Sequence, residues 1–588
     1  VPERDPTCIG RVRQVLGAQV TVALDEDLAG IAPIYRGELH RVGQIGSLVR
    51  LPQGLVDLVG QVSLVGIAEL SGPAAPTQTV QVGERWLQIE LLGEIDRGSG
   101  RFRRGVGIYP GLDDPVHFTT TEDLQAVYPL ASETTLRLGA LAAADQVPVC
   151  LDVGPLVTRH SAIVGSTGSG KTSTVASILQ GFTQGGWDAA NVVVIDPHGE
   201  YASALGGHAS VRSVLGAGDN GIRVPYWALP AADILVAFAG STGGATTQSR
   251  FAELVAQARR VFAASATWLT IDASAVTADS PIPFNLREVW YELDAENNET
   301  RKVANDPSTI AVDTEGDPAA LSPRQFEPYK AGGAAPFKGP LHGIHGTVPE
   351  LLRLGLLDPR LAFLMHPAGD PAGEDPLVAE LANWLGRDKP VSILDFSGVP
   401  AEASDIAIGV ILDLIFETAL RTPNGADGIG RPRPVLVVLE EAHRYLGETS
   451  TTLSRRAANR IAREGRKYGV GLMLVTQRPS ELPDTALAQC GTLIALRLSN
   501  AADQGEIRAA LPDSVAGLAA VLPSLRTGEA IVTGEALTLP ARTVVDAPSP
   551  FPDAHDPSLA SWRKPASTPD VAAALQAWRG TYHQEEKT

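Results

Sequence analysis

The apolar positions of the chain change their period several times, and each change marks a change of architecture. From residue 8 to about 70 they come in short runs, Ile9-Gly-Arg-Val, Gln19-Val-Thr-Val-Ala-Leu, Gly46-Ser-Leu-Val-Arg-Leu and Gly60-Gln-Val-Ser-Leu-Val. Short strands at close spacing with glycine turns predict a small β-barrel. A Pro-, Ala- and Thr-rich stretch from about Ser71 to Gln81 reads as a linker, and a strand-rich piece from Trp86 to Phe118 follows it. From about Ser132 the pattern becomes α/β. His160-Ser-Ala-Ile-Val reads as a buried strand, Lys171 to Phe182 as a helix and Asn191-Val-Val-Val-Ile-Asp as the next strand. That succession implies a parallel sheet. Between about 231 and 388, helical patterns at Ser249 to Ala264 and Leu377 to Leu385 flank a Pro/Gly/Asp-rich region, about Ala295 to Pro340, without a legible motif. Strands resume with Ser392-Ile-Leu-Asp-Phe, Val435-Leu-Val-Val-Leu, Gly471-Leu-Met-Leu-Val-Thr and Thr492-Leu-Ile-Ala-Leu-Arg. The predicted division is a barrel over 1–75, a strand-rich connector over 76–131, an α/β core in two parts (132–230 and 389–545), a mostly helical insertion over 231–388, and a tail over 546–588 with one helix, about Asp570 to Tyr582.

The loop after the first core strand, Gly165-Ser-Thr-Gly-Ser-Gly-Lys-Thr, fits the phosphate-binding pattern G-x-x-x-x-G-K-[ST] in its strand–loop–helix setting. Backbone N–H groups from Gly168 to Thr172 are expected to point at phosphate oxygens, with the positive end of the helix behind them. The expected nucleotide contacts are Gly165, Gly168, Ser169, Gly170, Lys171, Thr172 and Ser173. Lys171 is expected to reach the β- and γ-phosphates of ATP, and the Thr172 hydroxyl to bind Mg²⁺.

Such a loop needs carboxylates, and Pro434-Val-Leu-Val-Val-Leu-Glu440-Glu441-Ala-His443 supplies two where an apolar strand ends. Strand ends are where α/β sheets bind ligands. Glu440 takes the metal-side position, acting through water, and Glu441 is the candidate for activating the attacking water. Adjacent acids after a strand can also simply cap a helix; the phosphate loop upstream favours the catalytic reading.

Arg455, Arg456, Arg460, Arg463, Arg466, Lys467 and Arg478 follow, with Glu464 the one acid among them. Arg456, Arg460, Arg463 and Lys467 share one helix face. A solvated charged helix is the bland reading. The single sign of the run favours a use on phosphate, either as an arginine finger for a neighbouring subunit or on DNA. The finger reading is preferred, carried by Arg463 or Arg466. Gln477, at the end of the next strand, is the candidate for sensing the γ-phosphate. Asp196-Pro-His-Gly-Glu200-Tyr201 has no zinc-site spacing and reads as support near the nucleotide.

Composition narrows the class. The 588 residues are 44% hydrophobic and 20% charged, a globular balance for a chain of several domains. No apolar run is long enough for a membrane span, and Val-Pro-Glu-Arg-Asp does not read as a secretory leader. Three scattered cysteines make no disulfide framework, so a cytoplasmic setting is expected. The net charge of -19 excludes a small basic DNA-binding module. It leaves room for a ring that is acidic outside and basic on its channel loops.

Taken in order, the glycine loop, Asp-Pro-His-Gly-Glu-Tyr, Glu-Glu-Ala-His, Arg-Glu-Gly-Arg-Lys-Tyr-Gly and Thr-Gln-Arg-Pro-Ser resemble the HerA family, hexameric DNA-translocating ATPases related to the FtsK motors. The stretch from Val42 to Gly54 resembles the family's N-terminal β-barrel. The resemblance implies an α/β P-loop (RecA-like) ATPase core and a homo-hexamer with ATP and Mg²⁺ at subunit interfaces and duplex DNA in the channel. It implies Lys171 and Thr172 on phosphate and Mg²⁺, Glu440 beside the metal, Glu441 catalytic, Arg463 or Arg466 acting in trans, and Gln477 as sensor. A partner nuclease resembling NurA, or another effector, is expected on the barrel face, and a tail helix ending in Trp578 and Tyr582 suits packing on a neighbour. The alternative is an ATP-regulated ring scaffold that assembles and activates a partner enzyme, as in anti-phage defence, with little translocation.

Overall fold

The computed structural model describes residues 5–580 apart from 27–33, 41, 68–84, 215, 217–219, 424, 426, 447–451, 512–515, 554–561 and 564–570. Seven N-terminal strands form the first sheet: β1 (Cys8–Leu16), β2 (Gln19–Leu24), β3 (Leu48–Gln53), β4 (Val56–Ile67), β5 (Arg85–Asp96), β6 (Phe102–Arg104) and β7 (Pro115–Phe118). Their order is β2-β1-β7-β3-β4-β5-β6, and β2 also pairs with β5, so six strands close into a barrel and β6 stays on its edge. Ile9, Val22, Leu51, Leu58, Leu87, Ile89 and Val116 fill the interior, each fully buried.

Here the expected boundary moves. Residues 76–131, a connector by composition, supply β5 and β7, two staves of the barrel. The linker reading at 71–81 falls outside the described residues and lies between β4 and β5, which pair antiparallel from Val56–Asp96 to Ile67–Arg85. A composition change inside a long connection looks like a domain boundary because pairing across it is non-local.

The second sheet has eleven strands. Chain order begins with β8 (Thr135–Leu141), β9 (Ala144–Asp152) and β10 (Ser161–Val164), then helix α1 (Lys171–Gln184), β11 (Asn191–Asp196) and β12 (Ala209–Ser213). Next come the helices α2 (Ala231–Ala239), α3 (Ala245–Ser265), α4 (Leu286–Asn298), α5 (Val348–Leu357) and α6 (Pro376–Trp384). The sheet resumes with β13 (Val391–Asp395), helix α7 (Ala401–Arg421), β14 (Val435–Glu440), helix α8 (Leu453–Tyr468) and β15 (Val470–Thr476). It closes with β16 (Thr492–Ala495), β17 (Glu529–Gly534) and β18 (Ala541–Val545). Spatial order is β9-β8-β18-β17-β16-β10-β15-β14-β11-β13-β12. Strands from β16 to β12 run parallel, and β17, β18, β8 and β9 extend the sheet antiparallel. β10, β11, β14 and β15 are buried at every residue. Cover on both faces explains why they read as unbroken apolar runs.

The insertion packs on one face of this sheet. Trp227, Phe251 and Trp290 share a buried cluster with Val437 and Leu474. Arg259 is buried among them, its Nη2 donating to the carbonyls of Trp227 (2.8 Å) and Leu229 (2.7 Å), so the desolvated guanidinium keeps partners. The irregular region holds two small antiparallel pairs, Thr300–Arg301 with Phe337–Lys338 and Val312–Thr314 with Gln325–Phe326. In the tail, a helix spans Ala572–Gly580 with Trp578 exposed; Tyr582 lies outside the described residues. Among the described residues no helix is long and apolar enough to cross a membrane.

Candidate active site

β10 delivers the chain to the glycine loop at the C-terminal edge of the parallel strands. Gly168 and Gly170 hold φ of +70° and +102°, a backbone region that side chains disfavour. A Cβ at Gly170 would also sit 3.1 Å from the backbone nitrogen of Gly528. Gly170 caps α1 without any side-chain hydrogen bond, leaving the first-turn N–H groups of Lys171, Thr172 and Ser173 open to an anion. Ser169 is fully buried and its hydroxyl has no hydrogen-bond partner among the described residues. Gly165 starts the loop, where a Cβ would lie 2.5 Å from the Ser169 Oγ.

Lys171 folds back to donate to the Ser166 carbonyl (3.3 Å). Burial lowers its pKa, and the nearby Glu440, Glu441 and Glu200 oppose that shift. Thr172 Oγ1 donates to Glu200 Oε2 (3.0 Å). The Asp196 carboxylate accepts from the backbone N–H groups of His198 (3.1 Å), Gly199 (2.8 Å) and Tyr201 (3.2 Å), and so shapes the loop that carries Glu200. Burial pushes the Asp196 pKa up to about 6, with Asp395 and Glu200 adding to it.

The two acids ending β14 part ways. Glu440 is buried and accepts a hydrogen bond from the Tyr201 hydroxyl. Burial first, then Asp196, Glu200 and Glu441, push its pKa up to about 8 against the pull of Lys171. A cation beside it would reverse that balance. Glu441 turns into the left-handed region at φ +52°, costly for a residue with a Cβ. Its Oε1 accepts from Gln477 Nε2 (3.1 Å), and the Gln477 Oε1 accepts from Thr167 Oγ1 (2.8 Å). Gln477 therefore spans from the phosphate loop to Glu441. His443 Nδ1 stands 3.2 Å from Glu441 Oε2, yet that buried oxygen accepts no hydrogen bond from the described residues.

The site fits a hard, oxygen-seeking cation. Its donors are a threonine hydroxyl and carboxylates, with Glu440 beside the loop. Among the described residues no three carboxylate, imidazole or thiolate groups form a ready-made metal cage. Mg²⁺ needs none, since it keeps waters and uses phosphate oxygens with one or two protein ligands.

Two groups near the loop belong to no sequence motif. Arg497 Nη2 (3.3 Å) and Thr527 Oγ1 (3.2 Å) both donate to the Gly168 carbonyl, and the Gly528 N–H donates to the Ser169 carbonyl (3.0 Å). A polar residue just past β16 was the available signal for Arg497. The Thr527 turn carried none.

Arg463 and Arg466 are not brought to this site within one chain. α8 runs back from the end of β14 to the start of β15, so its C-terminal turns lie at the opposite edge of the sheet, beside His160 at the start of β10. The single-sign face is also divided. Arg456 pairs with Asp233, and Arg460 with Asp413 (3.3 Å) and Glu417.

A glycine loop between strand and helix, paired acids at the end of a parallel strand one removed from it and a polar residue at the end of the strand between, bridging the two, define a P-loop ATPase. Residues 136–313 match the family model described as Helicase HerA, central domain, and 411–549 match Helicase HerA-like C-terminal. The chain belongs to the HerA family and is an ATPase. It is 27% identical to a probable helicase of Methanocaldococcus jannaschii over 77% of each chain. It is 25% identical to the DNA double-strand break repair helicase HerA of Pyrococcus furiosus, over 77% of this chain and 76% of that protein. Among solved structures, VirB4 of Thermoanaerobacter pseudethanolicus aligns over 71% of this chain and 98% of its own, at 15% identity and a TM-score of 0.44.

Proposed function

We propose that the chain is a duplex-DNA translocase acting in DNA end processing as a ring of six copies, with a partner nuclease docked on the barrel face. The likeness to HerA repair helicases supports the substrate class. The observation that carries the catalytic reading is the buried Oε2 of Glu441, which accepts no hydrogen bond from the described residues, on a side chain held beside the phosphate loop through Gln477 and Thr167.

In this reading the N–H groups opening α1 and the Lys171 ammonium cradle the β- and γ-phosphates of ATP. Thr172, Glu200 and Glu440 would hold Mg²⁺, which neutralises phosphate charge. Glu441 Oε2 accepts the proton of the attacking water. Phosphoryl transfer is catalysed mainly by positioning and charge stabilisation. Loss of the γ-phosphate changes what Thr167 faces, and Gln477 passes that change to Glu441 and to the loop after β15. Arg463 or Arg466 stabilises the transferring phosphate on the neighbouring subunit.

The test is steady-state ATP hydrolysis with and without long linear duplex DNA, with Lys171→Ala as the blank. Stimulation by duplex, absent from the blank, is expected. Turnover indifferent to DNA would remove translocation and leave an ATP-regulated scaffold.

A further inference from the structure

The edge of the sheet opposite the phosphate loop opens into a cleft of about 540 Å³, lined by Arg104, Arg159, His160, Arg463, Arg466 and Glu535. Arg159 is paired with Glu535. The side chains of Arg104, Arg463 and Arg466 make no hydrogen bond or ion pair with any described residue. On the same helix as the last two, Arg456 and Arg460 are neutralised by carboxylates. His160 adds no charge, because burial pushes its pKa down to about 4 and its Nδ1 accepts the Leu472 N–H (3.0 Å).

Arg104 comes from the barrel, not the core. It ends β6, the strand left on the barrel edge. Two residues earlier Phe102 packs against the core cluster containing Leu136 and Val149. A Cβ at Gly93, on the facing strand, would lie 2.3 Å from the Phe102 ring, so that glycine makes the seat for it. Residues two apart on a strand share a face, so anchoring Phe102 turns Arg104 toward the core. Three free guanidinium groups in one opening repel one another, and a multiply charged phosphate group relieves that repulsion with charge-assisted hydrogen bonds.

We propose that Arg104 is a phosphate-contacting residue supplied by the barrel, which joins Arg463 and Arg466 on the terminal phosphates of ATP bound to the adjacent copy of this chain. The proposal rests on the reading that the core arginines act in trans, and adds the barrel to that contact. Nucleotide state at one interface is then felt by the neighbour's barrel, the face on which a partner would dock.

The experiment uses full-length rings of Arg104→Ala, Arg104→Lys, Arg466→Ala and Lys171→Ala, alone and mixed, with assembly followed by mass photometry. Arg104→Ala is expected to keep its affinity for a fluorescent ATP analogue and its assembly while kcat falls about tenfold, the scale of one charge-assisted contact. Arg104→Lys recovers part of that loss. Mixing Arg104→Ala with Lys171→Ala restores turnover, because intact loops then face intact arginines. Unchanged kcat in Arg104→Ala overturns the proposal. So does a loss that mixing fails to rescue while the Arg466→Ala and Lys171→Ala mixture is rescued. If Arg466→Ala loses no turnover, or its mixture with Lys171→Ala is not rescued, the trans reading itself fails, and this proposal with it.

Discussion

Glu441 concentrates the chemistry of the site in one residue. It follows a fully buried strand, and its left-handed backbone swings the carboxylate back over the strand end toward Gln477. One oxygen is fixed by Gln477 and the other is buried without a hydrogen bond, a state that costs free energy unless a ligand or water uses it. Glutamine at this position keeps the shape and the bond to Gln477 but cannot take a proton. Glu441→Gln should therefore retain ATP and lose turnover by roughly 10²–10⁴, the range for a general base. Single-turnover hydrolysis alongside nucleotide retention on filters measures both. Rapid hydrolysis by this variant would mean that another group activates the water.

At the scale of elements, α8 has two ends with two duties. It is 16 residues long and spans about 24 Å, enough to run from one edge of the sheet to the other. Its N-terminal half is tied down, Arg456 to the buried Asp233 of α2 and Arg460 to α7. Its C-terminal turns carry Arg463 and Arg466 into the cleft, their side chains without a partner among the described residues. Removing Arg456 leaves the buried Asp233 carboxylate uncompensated, whereas removing Arg463 leaves no carboxylate behind. Arg456→Ala should lower stability by about 1–3 kcal/mol and Arg463→Ala by less than about 0.5 kcal/mol. Urea unfolding midpoints of the two variants decide this; equal midpoints would show that the Arg456 pair contributes nothing.

At the scale of the whole molecule, barrel and core meet through few polar contacts and several apolar ones. Gln61 Nε2 of the barrel (3.4 Å) and Tyr128 Oη of the segment that follows it (2.9 Å) both donate to the Pro540 carbonyl, and Leu518 fits beside Gly46 of the barrel, where a Cβ would lie 2.7 Å from its methyl group. The phosphate loop and the free arginines sit at opposite edges of one sheet, so a single copy holds both halves of the proposed hydrolysis machinery but cannot join them. Turnover per subunit should therefore rise with protein concentration and level off where rings are complete. A dilution series read by ATP hydrolysis and mass photometry tests it, and constant turnover in samples that are monomeric would remove the trans arginine.

The parts whose chemistry is contiguous are legible in the chain alone. The glycine loop, the acids ending β14 and the buried strand runs are local: eight residues set the turn and the helix start, and period and burial set the strands. The resemblance to HerA rests on such segments in order, and the family matches bear it out. Tertiary structure decided whatever depends on distant segments meeting. The barrel extends to Phe118 because β5 and β7 pair with strands far earlier in the chain. Arg497 and Thr527 lean on the phosphate loop although more than 300 residues separate them from it. The basic face of α8 is half neutralised by acids on α2 and α7 that no local pattern announces. Arg104 faces the core because a glycine on another strand seats Phe102. Local chemistry is written residue by residue, while these pairings follow from chain path and packing, which no short window of sequence contains.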